Sequence, residues 1–337
     1  MLHITNGKSV GQSIHQTGIA GTVLTWDDVL HEGPTPAGLS LPQMSELRGR
    51  FIADFYTLPL EEVMADFTQR DTTLTRFHEH EEVVLWFEHD LYDHLQLVQL
   101  LDWFAGRDLK STKLSLICIN AFAGVDHFVG LGQLTPVQLT SLLGTRQVVT
   151  QAMLHLGRQA GQAYCSPHPH AVETLRRTET MALPFLEHAL LRHLEEYPGV
   201  GDGLSRAERQ ILEVVVSGIS KPVDIFRAAM DKEENAFMGD MTCWVHLSQL
   251  CQGARPLLTR SDGAPFVLAE PGEYHEEFHT QHMVLTGDGF AVLHGQADWI
   301  TLCGGIDRWL GGVHLDGLDA AWRWDRQNHM LLHRAGR

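Results

Sequence analysis

Apolar positions at the start of the chain come in short runs, and further on they recur at helical spacing. Leu2-His3-Ile4-Thr5 predicts a first strand, and Asn6-Gly7-Lys8-Ser9 a turn into a helix running from Ser9 to about His15. Gly18 and Gly21 bracket a turn before a second strand, Thr22-Val23-Leu24-Thr25-Trp26. Strand, turn, helix and strand at such short spacing form a βαβ unit with parallel strands and a right-handed crossover. Leu47, Phe51, Ile52 and Phe55 lie at helical spacing and predict a helix over 43–56, with Arg48 and Arg50 beside the stripe; a second helix is expected over 59–80. The continuous apolar run Val83-Val84-Leu85-Trp86-Phe87 suits a strand covered on both faces. A helix over 91–104 follows, then a fourth strand, Leu114-Ser115-Leu116-Ile117-Cys118-Ile119, ending at Asn120. Residues 135–160 read as two further helices, the first opened by Thr135-Pro136. The whole is a doubly wound, three-layer α/β pattern.

The periodicity breaks at Ser166-Pro167-His168-Pro169-His170. It resumes with Leu183, Leu186, Leu190 and Leu194, and Pro198-Gly199 to Gly203 reads as a linker. Beyond it Ser205 and Glu208 form a capping box. Helices are expected to about Ser217, from near Pro222, and over 237–251. A hairpin should follow, made from Pro256-Leu257-Leu258-Thr259 and Pro265-Phe266-Val267-Leu268. Three helices and a hairpin give a winged-helix-like α+β domain. The expected divisions are 1–130 for the α/β domain, 131–203 for a helical connection, and 204–337 for the winged-helix-like domain and its tail. That tail holds five glycines and three tryptophans over 304–334 and predicts no definite element.

At 337 residues, with 44% hydrophobic and 20% charged side chains, the chain supports two folded domains. No apolar run reaches the roughly 18 residues of a membrane span, and the first residues lack the basic and apolar segments of a secretion signal. Five cysteines with no CxxC pair indicate free thiols and a cytoplasmic setting. The formal charge of −17 opposes nucleic acid as a partner. From 205 to 251 there are five basic and seven acidic side chains, and the 237–251 helix has no Lys or Arg. A protein partner is therefore the better reading of this region, and DNA reading in a transcription-associated role its competitor.

Candidate chemistry concentrates after the predicted strands. Gly7-Lys8-Ser9 resembles the end of a phosphate loop, but the glycine that motif requires five residues earlier is Leu2. What is left is a helix N-terminus where Asn6, Gly7 and Ser9 either hold an anion or only cap the helix. Asp27, Asp28, His31 and Glu32 follow the second strand, and Glu88, His89 and Asp90 the third, with Asp93 and His94 one turn on. Carboxylates beside imidazoles suit a divalent metal or proton transfer, although acidic loops and an Asp N-cap are also ordinary features. Ligands of open parallel sheets bind outside the carboxyl ends of the strands, and all of these loops occupy that edge. The expected site has Asp28, His31 and Asp90 as acid–base groups or metal ligands, and Asn6, Gly7, Ser9, Glu32, Glu88 and Asp93 as binding residues.

One H-E-x-x-H match occurs, His275-Glu276-Glu277-Phe278-His279, and such a pair on a helix suits zinc. Pro271-Gly272 before it leaves room only for a short helix. His168 and His170 are further metal-ligand types, in a loop whose alternating prolines equally indicate a plain turn.

Three segments resemble a bacterial family catalogued as domain of unknown function 1835. They are Leu2-His3-Ile4-Thr5-Asn6-Gly7 with Ser9, Trp26-Asp27-Asp28-Val29-Leu30-His31-Glu32-Gly33-Pro34, and Leu85-Trp86-Phe87-Glu88-His89-Asp90 with Asp93. The resemblance spans about residues 1–130. Lys8 departs from it, since the family usually has an acidic residue there. Labels on some members suggest a link to RNA polymerase or sigma factors. The resemblance implies a site location and no reaction. The functional expectation is a small-molecule site for a phosphorylated or nucleotide-like ligand, or a metal-assisted hydrolase or transferase, with a divalent metal as the cofactor that the side chains suit.

Overall fold

Leu2 and Ile4 are fully buried in β1 (Leu2–Thr5), which lies inside a five-stranded sheet and not at its edge. The computed structural model describes residues 1–269, 275–318 and 322–333. It divides into two compact units. The first comprises Met1–Asp54, Leu58–Leu191 and Gly311–Val313; the second comprises residues 55–57 and the rest of the chain from Arg192.

In the first unit β1 is followed by α1 (Lys8–Gln16), β2 (Thr22–Thr25), α2 (Leu41–Phe55), α3 (Leu60–Thr75), β3 (Glu82–Glu88), α4 (Leu91–Ala105) and β4 (Lys113–Ile119). Then come α5 (Pro136–Leu143), β5 (Gln147–Val148), α6 (Gln151–Tyr164) and α7 (His170–Arg176), and the unit ends inside α8 (Leu186–Leu194). The strand order is β2-β1-β3-β4-β5. The first four strands are parallel and β5 runs antiparallel to β4. The chain winds outward from β1 to β2, then crosses to β3 on the other side of β1. The boundary between β1 and β3 is therefore the point where the winding reverses.

Strand pleating explains the layers. Val84 and Trp86 of β3 and Ile117 of β4 pack with Val10 and Ile14 of α1 and Leu139 and Leu142 of α5. Val83, Leu85 and Phe87 point to the opposite face and are fully buried, where α4 packs on β3 and α6 packs on α4. The mixed α/β class with a mainly parallel sheet is as expected. The boundary is not: a division near residue 130 would strip α5 from one face and separate α6 from α4. Thr135 caps α5 as expected, its hydroxyl accepting the Gln138 amide.

The second unit contains α9 (Arg206–Val216), α10 (Pro222–Met230), α11 (Asp240–Leu250), β6 (Leu258–Arg260), α12 (Glu276–Thr280), β7 (Met283–Leu285), α13 (Gly287–Leu293) and α14 (Trp299–Cys303). Ser205 Oγ accepts the Glu208 amide at 3.1 Å, and Glu208 Oε2 accepts the Ser205 amide at 2.8 Å, closing the expected capping box. β6 pairs antiparallel with β7. The expected return strand, 265–268, is irregular: Gln281 takes up Val267 through two hydrogen bonds, and Met283–Leu285 fills the ladder instead. The tail forms β8 (Ile306–Gly311), β9 (Val313–Gly317), β10 (Trp322–Asp325) and β11 (Met330–His333), with β10 and β11 antiparallel. The five cysteines are free thiols. No described helix is long and apolar enough to cross a membrane.

Candidate functional site

Parallel register brings the ends of β1 and β3 level, with Thr5 opposite Trp86. The residue that follows β1, Asn6, is buried. Its side-chain amide donates to Asp93 Oδ2 at 2.9 Å and to Glu88 Oε1 at 3.3 Å. Asp90 is the N-cap of α4, its carboxylate accepting the Asp93 amide at 3.0 Å, so the helix start fixes both aspartates. Asp93 Oδ1 accepts the Glu88 amide at 2.7 Å. Glu88, Asp90 and Asp93 are all buried, and each offers a carboxylate oxygen within 4.8 Å of the others. They stand at the carboxyl ends of β1 and β3, where the winding reverses.

Backbone from a distant segment closes over this cluster. The Leu131 amide donates to Glu88 Oε1 at 2.5 Å. A Cβ on Gly130 would stand 2.1 Å from Glu88 Oε2, so only glycine allows this approach. The Cys118 thiol donates to the Glu88 carbonyl at 3.2 Å, and the Tyr92 hydroxyl to the Asn6 carbonyl at 3.0 Å.

The donors seen on these carboxylates are neutral: the Asn6 side-chain amide and the backbone amides of Leu131, Glu88 and Asp93. Burial, compounded by the charges of Asp93 and Asp90, raises Glu88 to about 10. Burial raises Asp93 to about 7 and Asp90 well above its ordinary value. His94 supplies no charge either, because burial lowers its pKa to about 4. Three carboxylates this close in a low dielectric need protons or a bound cation. Their all-oxygen donor set suits a hard divalent ion.

The other expected residues are placed differently. Asp28 is fully buried and its Oδ1 accepts from Arg48 Nε at 3.0 Å and Nη2 at 2.8 Å; its other oxygen lies 3.7 Å from Arg70 Nη1. Arg48 also donates to the carbonyls of Glu32 and Val29. Asp28 and Arg48 thus hold the 28–34 loop together, and Glu32 contributes its carbonyl to that bracing. His31 is buried with its ring edge-on to Tyr92, 5.9 Å between centroids, and stands outside the carboxylate group. The loops still meet: Gln96 Nε2 donates to the carbonyls of both Asn6 and Asp28.

The turn after β1 is not open to an anion as expected. Asp27 Oδ1 accepts the Lys8 amide at 3.1 Å, so a carboxylate already sits at the start of α1 beside Gly7. Ser9 and Asn120 are exposed. The H-E-x-x-H segment yields only the five-residue α12 with His275 as its N-cap, and no group of three metal-ligand side chains forms around it among the described residues. Pro271-Gly272 lies outside the described residues. Leu131, Gly130 and Gln96 carried no sequence signal of a site, since two act through backbone and the third looks like an ordinary helix residue.

Fold and site together define a parallel-sheet α/β protein with a buried three-carboxylate cluster at the point where its winding reverses. No protein-family model matches the chain, and no curated protein matches it.

Proposed function

We propose that the first unit binds a divalent cation through Glu88, Asp90 and Asp93 and uses it to act on a small phosphorylated or nucleotide-like ligand, as a metal-assisted hydrolase or transferase. One observation carries the reading: three buried carboxylates within 4.8 Å of one another at the carboxyl ends of parallel strands where the winding of the sheet reverses. A bound Mg²⁺ or Mn²⁺ would polarise a phosphoryl oxygen of the ligand. Asn6 orients Glu88 and Asp93, Leu131 fixes Glu88, and the Asp90 cap holds the start of α4. The ligand's negative charge goes to the cation and not to the start of α1, where Asp27 already sits. Asp28 and His31 brace and border the site. The motif resemblance to domain of unknown function 1835 supports the same location.

The test is thermal unfolding in MgCl₂ or MnCl₂ against NaCl of equal ionic strength. A ligand that binds only the folded state stabilises it by mass action, by about 2.7 kcal/mol at a hundred times its Kd, and so raises the melting temperature. Glu88→Gln with Asp93→Asn should abolish the rise. No saturable rise in the native protein overturns the reading.

A second reading concerns the second unit as a winged-helix-like protein-interaction module. Three helices followed by the antiparallel β6–β7 pair support it. Arg206 and Arg209, the cations a DNA-binding role would draw on, are both ion-paired, Arg206 to Glu195 and Glu234 and Arg209 to Asp202 and Glu213. This favours a protein partner over nucleic acid.

A further inference from the structure

We propose that the first unit has a second small-molecule site, a cleft that takes a one- or two-ring aromatic molecule carrying a positive charge. The cleft lies between the 35–41 loop, α4 and the end of α6, with a volume of about 210 Å³. Leu95, Val98, Gln99, Asp102 and Trp103 line it from one face of α4, recurring at helical spacing. Trp26, Leu30 and Met44 add further apolar surface. Glu88, Asp90 and Asp93 are not in the lining, so this inference stands independently of the metal reading.

Volume sets the size of the occupant. A dry cavity of roughly 150 Å³ accepts benzene, so this cleft has room for one or two rings. Trp26 and Trp103 favour an aromatic partner by ring packing. Asp102 sets the charge. It is the single carboxyl in the lining, 41% exposed, and its carboxylate makes no hydrogen bond among the described residues. Its ion-pair partner, Arg158, is 3.7 Å away, beyond hydrogen-bond reach. Burial raises the Asp102 carboxyl above its ordinary value despite that arginine. A ligand cation beside it compensates what Arg158 leaves incomplete. The chain's net charge of −17 adds a long-range field that draws cations. A mostly apolar cleft with a few placed polar groups is the usual form of a small-molecule site.

Benzamidine and its neutral isostere benzamide, titrated by calorimetry and saturation-transfer NMR, test the proposal. Benzamidine should bind the native chain about fivefold more tightly, the scale an ion pair to a half-exposed carboxyl supports. Asp102→Asn should bind the two probes alike. Ala37→Trp, at an exposed position of the lining loop, should weaken both without lowering the melting temperature. The proposal fails if neither probe binds saturably, if the two bind the native chain equally, if the preference survives in Asp102→Asn, or if Ala37→Trp changes neither affinity.

Discussion

The side-chain amide of Asn6 lies 2.9 Å from Oδ2 of Asp93, a contact between the end of the first strand and a helix 87 residues away. It joins the two halves of the sheet at the point where the winding reverses. The same amide nitrogen reaches Glu88 Oε1 at 3.3 Å, so a single neutral group serves two buried carboxyls.

Asn6→Ala removes that donor and leaves two buried acceptors short of a partner. The expected loss is about 1–3 kcal/mol of unfolding free energy, the cost of an unsatisfied buried polar group. Urea unfolding checks it. MnCl₂ should recover part of the loss, because the cation attaches to the carboxylates and not to the amide.

The raised carboxyls make stability depend on pH. Glu88 rises from 4.5 to about 10 and Asp93 from 3.8 to about 7. Over those ranges the folded protein holds protons that the unfolded chain has released. Stability from these groups is thus fully present below the unfolded values and is lost as pH rises through the folded ones. With a chelator present, the urea midpoint should fall from about pH 5 through pH 9. A saturating divalent cation should flatten the decline, and its binding should release protons. A chelated protein whose midpoint rises over that interval contradicts the assignment.

Asp28→Ala separates a bracing role from a catalytic one. It strands the fully buried Arg48, and removing one member of a buried ion pair costs about 3–5 kcal/mol. Asp28→Leu with Arg48→Leu should recover a large part of that loss, since no buried charge is then left alone. Wherever the variants are folded, the response to Mn²⁺ should persist. A stable Asp28→Ala protein that has lost its cation response would return Asp28 to the site.

Generic duplex DNA should not be retained by the full chain at about 0.15 M salt. α11 has no Lys or Arg, and Arg206 and Arg209 are held by acidic side chains. A gel shift at physiological salt that disappears in Arg206→Ala with Arg209→Ala would favour DNA reading over a protein partner.

The local features legible in the sequence are those set by neighbours along the chain. Hydrophobic runs placed β1, β2, β3 and β4, and short polar signals placed the caps at Thr135 and Ser205, because such elements depend on residues within a few positions. The sheet edge was legible for the same reason: parallel strands bring their carboxyl ends to one side whatever lies between them. Tertiary structure decided the rest. Asp28 and Asp90 look alike in the sequence, each an acidic residue soon after a strand. Arg48 pairs with the first, while Glu88 and Asp93 crowd the second. The closing of Gly130 and Leu131 over Glu88, and the choice of 283–285 over 265–268 as the partner of 258–260, likewise rest on contacts between distant segments. Whether a carboxylate stays charged depends on what surrounds it in space, and periodicity along a chain holds no record of that.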